Sequence, residues 1–454
     1  MGQIIAALDL GTSKSIALIA KKNEMARLSL LRTETFLSKD AMRRGKVYNS
    51  IEASDIVSKL FWRLNNSPAW HVEKVYVGIG GQSLRTQSFS VKRIVESGTI
   101  SRQLLDSATE EANNYEPDFA ENLGIASCEY FANGQLVADP KGTTASLFEA
   151  RFQIIVGNAS LKLNLENIFG GENIPVAGYF ISPLATAEAV LTLIEKEIGC
   201  ALIEFGEGVT YVSVYKDNTL KYMATLPLGS LTITKDIRSL NVSEEEAEAL
   251  KIRYGSAISD SSEKRIISVD EDQDLPRKIE LQALNWIIEA RVDEIIKNVW
   301  SQIQSSGYSQ TIDAGIVITG GGALLQDLPQ FIKNKTGKEV RLAAPKVWSD
   351  QGETQLSPAD SCVVGLAILG KENCVKENSL FGVEDPIVKP VASKEVKNKN
   401  KKEKNSVIYD PPRGTLRQFG IKLGKMLNKG IDEIFTEEDF IENKTKNKEA
   451  WKTY

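Results

Sequence analysis

The chain has 454 residues, of which 42% are hydrophobic and 25% charged, with 33 glycines. That balance is ordinary for a soluble globular protein and excludes a disordered or collagen-like chain, while the length holds about three domains' worth of core. The net charge of −5 is uneven, because 16 basic and 10 acidic residues from Pro386 onward place +6 on the tail and leave −11 on the body. An acidic body with a basic tail points to an anionic surface as the tail's partner.

Four cysteines without CxxC spacing and a single histidine, His71, argue against a disulfide scaffold or a structural zinc site and favour a reducing compartment. The opening MGQIIAALDL has no basic start, and Asp9 interrupts its apolar run, so no signal peptide is expected. No uncharged apolar stretch approaches the roughly 18 residues of a membrane-spanning helix.

In chain order, the apolar residues 4–10, the turn Gly11-Thr12-Ser13-Lys14 and the apolar residues 16–20 predict a hairpin. A strand is expected at 75–79. Residues 84–165 read as an insertion, with strands at 84–95 and 148–156 and a helix at 101–114. A helix is expected over 185–196. Residues 201–215 then repeat the opening plan, with Glu204-Phe205-Gly206-Glu207-Gly208 followed by Thr210 and an alternating strand. Superposing Asp9 on Glu204 also aligns Gly11 with Gly206, which suggests a duplicated α/β domain with mixed sheets.

Helical spacing returns at 243–253 and 279–304, and an apolar strand at 315–319 leads into Gly320-Gly321-Gly322. A short helix ended by Pro329 and a helix at 359–370 follow. The stretch 388–406 carries seven lysines and no aromatic residue, so 386–412 reads as a flexible basic tether. Over 413–435, Leu416, Phe419, Leu423, Met426, Leu427, Ile431 and Ile434 gather on one helical face, with Arg417, Lys422, Lys425 and Lys429 opposite. Such a helix at the end of a tether describes an in-plane membrane anchor; docking on the protein's own body is the plainer alternative. A nucleic-acid partner is not expected, since the basic region lacks a recognised binding module. Residues 436–454 form a polar tail.

Three glycine turns carry the chemistry. In Asp9-Leu10-Gly11-Thr12-Ser13-Lys14 a tight turn aims backbone N–H groups and hydroxyls at one point, which suits phosphate oxygens, while Asp9 suits a magnesium ion held through water. The turn at Glu204, Gly206, Gly208 and Thr210 is its counterpart. Gly320, Gly321 and Gly322 allow a ring or phosphate to approach the backbone closely. Any one of these is a common connection; the three in this order are not. No Walker A pattern occurs.

The order of the three turns resembles the actin/Hsp70/sugar-kinase ATPase superfamily, and Ala247-Glu248-Ala249-Leu250-Lys251 is similar to its Ala-Glu-x-x-Lys helix, whose Glu and Lys approach ribose and adenine. Within it the chain most resembles the FtsA family of actin-like bacterial cell-division proteins. Supporting segments are Ala7-Leu8-Asp9-Leu10-Gly11-Thr12-Ser13-Lys14, Val77-Gly78-Ile79-Gly80-Gly81, 187–199, and Leu228-Gly229 with Thr234-x-Asp236.

The resemblance implies a duplicated ribonuclease-H-like fold with a small α+β insertion. Residues 1–83 with 166–197 would form one half, 84–165 the insertion, 198–242 with 310–385 the other half, and 243–309 a cleft subdomain. It further implies ATP with Mg2+ at Asp9 and Glu204, self-polymers, and attachment to the inner face of the cell membrane at the division site. FtsZ would be tethered through its C-terminal peptide, with Arg291, Lys297 and Asn298 as candidate contacts, and other division proteins recruited.

Relatives read Asp-x-Gly-Gly-Gly-Thr-Thr-Asp at the second turn, where this chain has Glu204, Glu207, Val209 and Tyr211 at the first acid, the middle glycine, the first threonine and the last acid. A Glu before Pro that positions attacking water in related bacterial actins aligns with Ser182. Slow or absent hydrolysis is therefore expected. A small-molecule or sugar kinase, or a rod-shape or pilus-type bacterial actin, are the alternatives.

Overall fold

The computed structural model describes residues 2–25, 27–38, 40–269, 277–349 and 352–378. The expected tether, membrane helix and polar tail all lie outside the described residues.

The strand Gln3–Leu10 is apolar on both faces, and Ile5 to Leu8 are fully buried. Both of its sides must therefore be covered by helices rather than water, as in a parallel sheet. It pairs antiparallel with Lys14–Lys22 and parallel with Val75–Ile79. Leu28–Leu37 extends one side and Val176–Ile181 the other. The strand Cys200–Phe205 repeats this arrangement: antiparallel to Thr210–Lys216, which carries Thr219–Leu226, and parallel to Ile316–Thr319, which carries Val340–Leu342. Two five-strand units of one order and one set of directions are the duplicated plan expected.

Residues 85–157 build a separate four-stranded antiparallel sheet, ordered Gln135–Val137, Glu121–Ala132, Leu147–Gly157, Arg85–Ile94. The helix Arg102–Asn113 covers it, and the sheet has a core of its own around Phe148 and Phe152. The next helix, Ser160–Gly171, starts inside the expected 84–165 segment, yet its Leu161, Leu165, Ile168 and Phe169 are buried in the core of the first half.

Three sequence expectations need correction. Residues 185–196 are two helices, Ser182–Val190 and Leu193–Ile198, because Thr192 caps the second with a reciprocal Thr192–Glu195 capping box. Pro329 does not end a helix; it occupies the first turn of Leu328–Thr336, where its missing N–H is harmless, and only a 3-10 turn, Gly321–Leu324, follows the triple glycine. After residue 345 the chain returns to the first half rather than remaining in the second. Lys346–Ser349 and Gly352–Gln355 extend the first sheet, and Ser361–Leu369 packs on Gln3–Leu10, Lys14–Lys22 and the helix Ser182–Val190.

Candidate functional site

The two hairpin turns occupy equivalent positions at the ends of their sheets. Gly11 N–H donates to Lys14 O at 3.1 Å and Gly206 N–H to Val209 O at 3.0 Å, so Asp9 and Glu204 stand next to last in corresponding strands as the superposition expects. The two carboxylates lie close enough for Asp9 to raise the pKa of Glu204. Burial is the larger cause and carries Glu204 up to about 8; it raises Asp9 as well.

The Cys362 thiol donates to Asp9 Oδ1 at 3.2 Å. Glu204 Oε2 is buried without a partner at hydrogen-bond geometry, and so is the Thr186 hydroxyl, which lies near enough to pull the Glu204 pKa down against burial but not enough to offset it. An orphaned buried carboxylate oxygen facing a second carboxylate fits a hydrated cation, which would supply the missing positive charge. Among the described residues no group of three or more His, Cys, Asp or Glu is placed to hold a metal directly. The Ser182 hydroxyl lies over Gly78, where a Cβ would meet it at 2.7 Å and Asp9 Oδ1 at 3.3 Å, so the residue aligned with the water-positioning Glu does sit beside Asp9.

At the first turn, Thr12 Oγ1 accepts from Gly45 N–H at 3.0 Å, Ser13 is exposed, and Lys14 Nζ is 3.1 Å from Asp360 Oδ1. At the second, Thr210 Oγ1 donates to Leu228 O at 2.7 Å, and Gly208 packs against Thr12 and the Arg44 backbone. Ser230 and Leu231 N–H donate to Gly206 O and Glu207 O, tying this turn to the start of Ser230–Ile237. Burial and neighbouring Glu248 push the Glu207 carboxyl up, against the pull of Lys251. The groups around the turns thus include five carboxylates, Asp9, Glu204, Glu207, Glu248 and Asp360, and two lysines, both already paired, Lys14 with Asp360 and Lys251 with Glu248.

The adenosine-side residues of the resemblance come together. Glu244–Tyr254 starts at a Ser243–Glu246 capping box and presents Glu248 and Lys251 one turn apart. Lys251 Nζ is 2.7 Å from Glu248 Oε2, 2.8 Å from Thr234 Oγ1 and 3.2 Å from Ser230 O. Gly320 has φ +90° and sits on the Phe205 carbonyl, where a Cβ would come within 2.6 Å. Gly321 is exposed and its Cβ position meets only Ala359, at 3.7 Å, which leaves one side open to a planar group. Gly322 is buried. Thr234, Ser230, Tyr211, Cys362 and Asp360 were not among the sequence candidates; Thr234-x-Asp236 was the one available signal for the first.

The three polar residues on Leu281–Ser305 separate. Arg291 is not a free cation: its Nε and Nη2 donate to Asp236 at 2.5 and 3.1 Å, it also pairs with Glu294, and only 14% of its side chain is exposed. Lys297 is 70% exposed and pairs with Asp293, while Asn298 donates to Glu294 O at 2.9 Å. Replacing Arg291 by alanine is expected to lower stability by about 2 kcal/mol, since Asp236 is left half-buried and unpaired. An unchanged thermal midpoint would return Arg291 to a surface role. Trp286 on the same helix is 42% exposed, and Trp300 is intermediate.

A family profile described as "Cell division protein FtsA" matches residues 201–365, from the second turn through the triple glycine. The cell division protein FtsA of Porphyromonas gingivalis is 29% identical over 382 residues, 82% of this chain and 80% of that protein. The Neisseria meningitidis serogroup B FtsA is 29% identical over 372 residues, 80% of this chain and 89% of the relative. Among solved structures, a chain of the PilM-PilN type IV pilus biogenesis complex superposes with a TM-score of 0.57 at 13% identity, covering 80% of this chain and 97% of that one. Together these comparisons make the fold actin-like.

Proposed function

The chain is a relative of the FtsA cell-division proteins, and from that premise we propose that it is an actin-fold scaffold of the bacterial division site. The observation that carries the reading is the pair of equivalent hairpin turns, preceded by Asp9 and Glu204, facing each other across two like sheets. Asp9 and Glu204 would hold Mg2+ through water, the turns at Gly11 to Lys14 and Gly206 to Thr210 would meet phosphates, and Glu248, Lys251 and Gly320 to Gly322 the nucleoside. The metal would supply the positive charge this cleft lacks. With Ser182 where a carboxylate would position water, ATP would be bound and hydrolysed slowly or not at all.

The scaffold would polymerise, bind the inner face of the cytoplasmic membrane as a peripheral protein, and tether FtsZ while recruiting other division proteins. Lys297 and Asn298 are the candidate contacts for an acidic FtsZ peptide, because Arg291 is engaged internally. No helix among the described residues is long and apolar enough to cross a membrane. Attachment would rest on the amphipathic sequence at 413–435, and a polymer displaying many weak anchors would be held by avidity.

The test is co-pelleting with anionic liposomes in Mg-ATP at two salt concentrations, with polymers followed by electron microscopy. The full chain is expected to pellet and a chain ending at Asp410 to stay in solution. Equal pelleting of both would remove the anchor and with it the scaffold reading.

A further inference from the structure

The residue at the end of the altered second turn does more than remove a carboxylate. Tyr211 lies on Thr210–Lys216 of the second half, opposite Glu204 in the hairpin register, and is buried. Its hydroxyl leaves that half altogether and accepts from Gly81 N–H at 2.7 Å, in the segment that joins Val75–Ile79 to the inserted sheet. The surroundings fit the phenol closely. A Cβ on Gly80 would lie 2.8 Å from the hydroxyl oxygen and one on Gly45 3.0 Å from it, so both neighbours are glycine where the ring tip arrives.

A second set of bonds joins the second half to the inserted segment at the edge strand Thr219–Leu226. Met223 N–H donates to Thr86 Oγ1 at 2.8 Å, Ser127 Oγ to Leu220 O at 2.6 Å and Thr225 Oγ1 to Leu84 O at 2.7 Å, while Lys221 Nζ is 2.6 Å from Glu129. An edge strand ordinarily leaves its backbone groups to water or to another strand; here Thr86 and Ser127 of the inserted sheet take Met223 N–H and Leu220 O.

We propose that Tyr211 is a latch that closes the cleft from within, so that the closed, assembly-competent conformation is held by the protein itself and does not require nucleotide. A ligand that bridges two halves stabilises closure by its differential contacts with the closed state. Tyr211 makes such a contact covalently tethered to one half, with the inserted sheet bracing the far edge. Nucleotide is then left little closure to drive. This inference rests on the scaffold reading, whose cleft and polymer it concerns.

Hydrogen exchange of the full chain, read at the Gly81 amide without nucleotide, tests it. In the wild type this amide is expected to be protected, and adding Mg-ATP to change its rate little. Tyr211→Phe keeps the ring and removes the acceptor, and is expected to speed Gly81 exchange about fivefold or more, as loss of one buried hydrogen bond implies. Circular dichroism checks that the variant is folded; if it is not, Gly80→Ala, which crowds the hydroxyl, is expected to give the same acceleration. Fast exchange in the nucleotide-free wild type, or protection that appears only with Mg-ATP, overturns the latch. Liposome pelleting of the wild type separates this from failure of the scaffold reading, because membrane attachment does not depend on Gly81.

Discussion

Replacing Gly365 by alanine is expected to destabilise the protein by about 3 kcal/mol or more, because its Cβ position makes the closest approach of any glycine among the described residues. The helix Ser361–Leu369 crosses Ser182–Val190 so closely that a Cβ at position 365 would lie 1.8 Å from Ala185 O and 2.3 Å from its carbonyl carbon. The obstacle is backbone on a buried helix, so no rotamer change relieves it, and the two helices must separate. That separation would propagate to the cleft, since Ser182 begins one helix and Cys362, on the other, touches Asp9. The readout is a fall of several degrees in the thermal midpoint, with lower soluble yield. Gly170→Ala is the control: nothing lies within 4 Å of its Cβ position, inside the helix Ser160–Gly171, and it is expected to be neutral or stabilising. Equal midpoints for wild type and Gly365→Ala would mean that the helices do not cross there.

Glu204→Gln is expected to stabilise the protein in magnesium-free, nucleotide-free buffer, by an amount that grows with pH. Burial, with Asp9 beside it, raises the carboxyl from its ordinary 4.5 to about 8. Between those two values the unfolded chain releases a proton that the folded chain keeps. Stability therefore falls as pH rises from about 4.5 to about 8, by at most about 1.4 kcal/mol for each unit, and is level above that. Glutamine is neutral throughout and loses nothing in this window. Thermal midpoints of the two proteins are expected to be close at pH 5 and to diverge by several degrees at pH 8. Adding Mg2+ at pH 8 is expected to raise the wild type and leave Glu204→Gln where it was, since binding to the folded state alone stabilises it. Parallel pH profiles would show that Glu204 is not a buried acid of raised pKa, and an equal response to Mg2+ would remove it from the cation site.

Much of the candidate site was legible because it is local. A strand, a glycine turn and a returning strand are specified by residues within ten positions of each other, and a helix start is specified by its cap. Asp9 with Gly11 and Glu204 with Gly206 are therefore readable directly, as is the duplicated plan that follows from aligning them, while Glu248 with Lys251 comes from the resemblance and the helical spacing at 243–253. Where a short-range signal was overlooked, the expectation failed by one element: Thr192 and Glu195 divide a helix that apolar spacing alone runs together, and Pro329 reads as a stop until its place in a first turn is seen.

What the tertiary structure alone decided is which polar groups are already engaged. Arg291 looks like a surface cation on its own helix, but Asp236 lies 55 residues away in the chain and takes its guanidinium. Lys14 looks ready for phosphate until Asp360, 346 residues on, is placed against it. Tyr211 reads as a lost carboxylate in its turn and proves to reach Gly81, 130 residues earlier, across the cleft. The sequence by itself determined the glycine turns and the buried strands beside them, since these follow from the spacing of neighbouring side chains. The pairing of distant charges and the closure of the cleft follow from how buried faces stack, and burial makes each unpartnered charge costly enough that only the assembled core settles its partner.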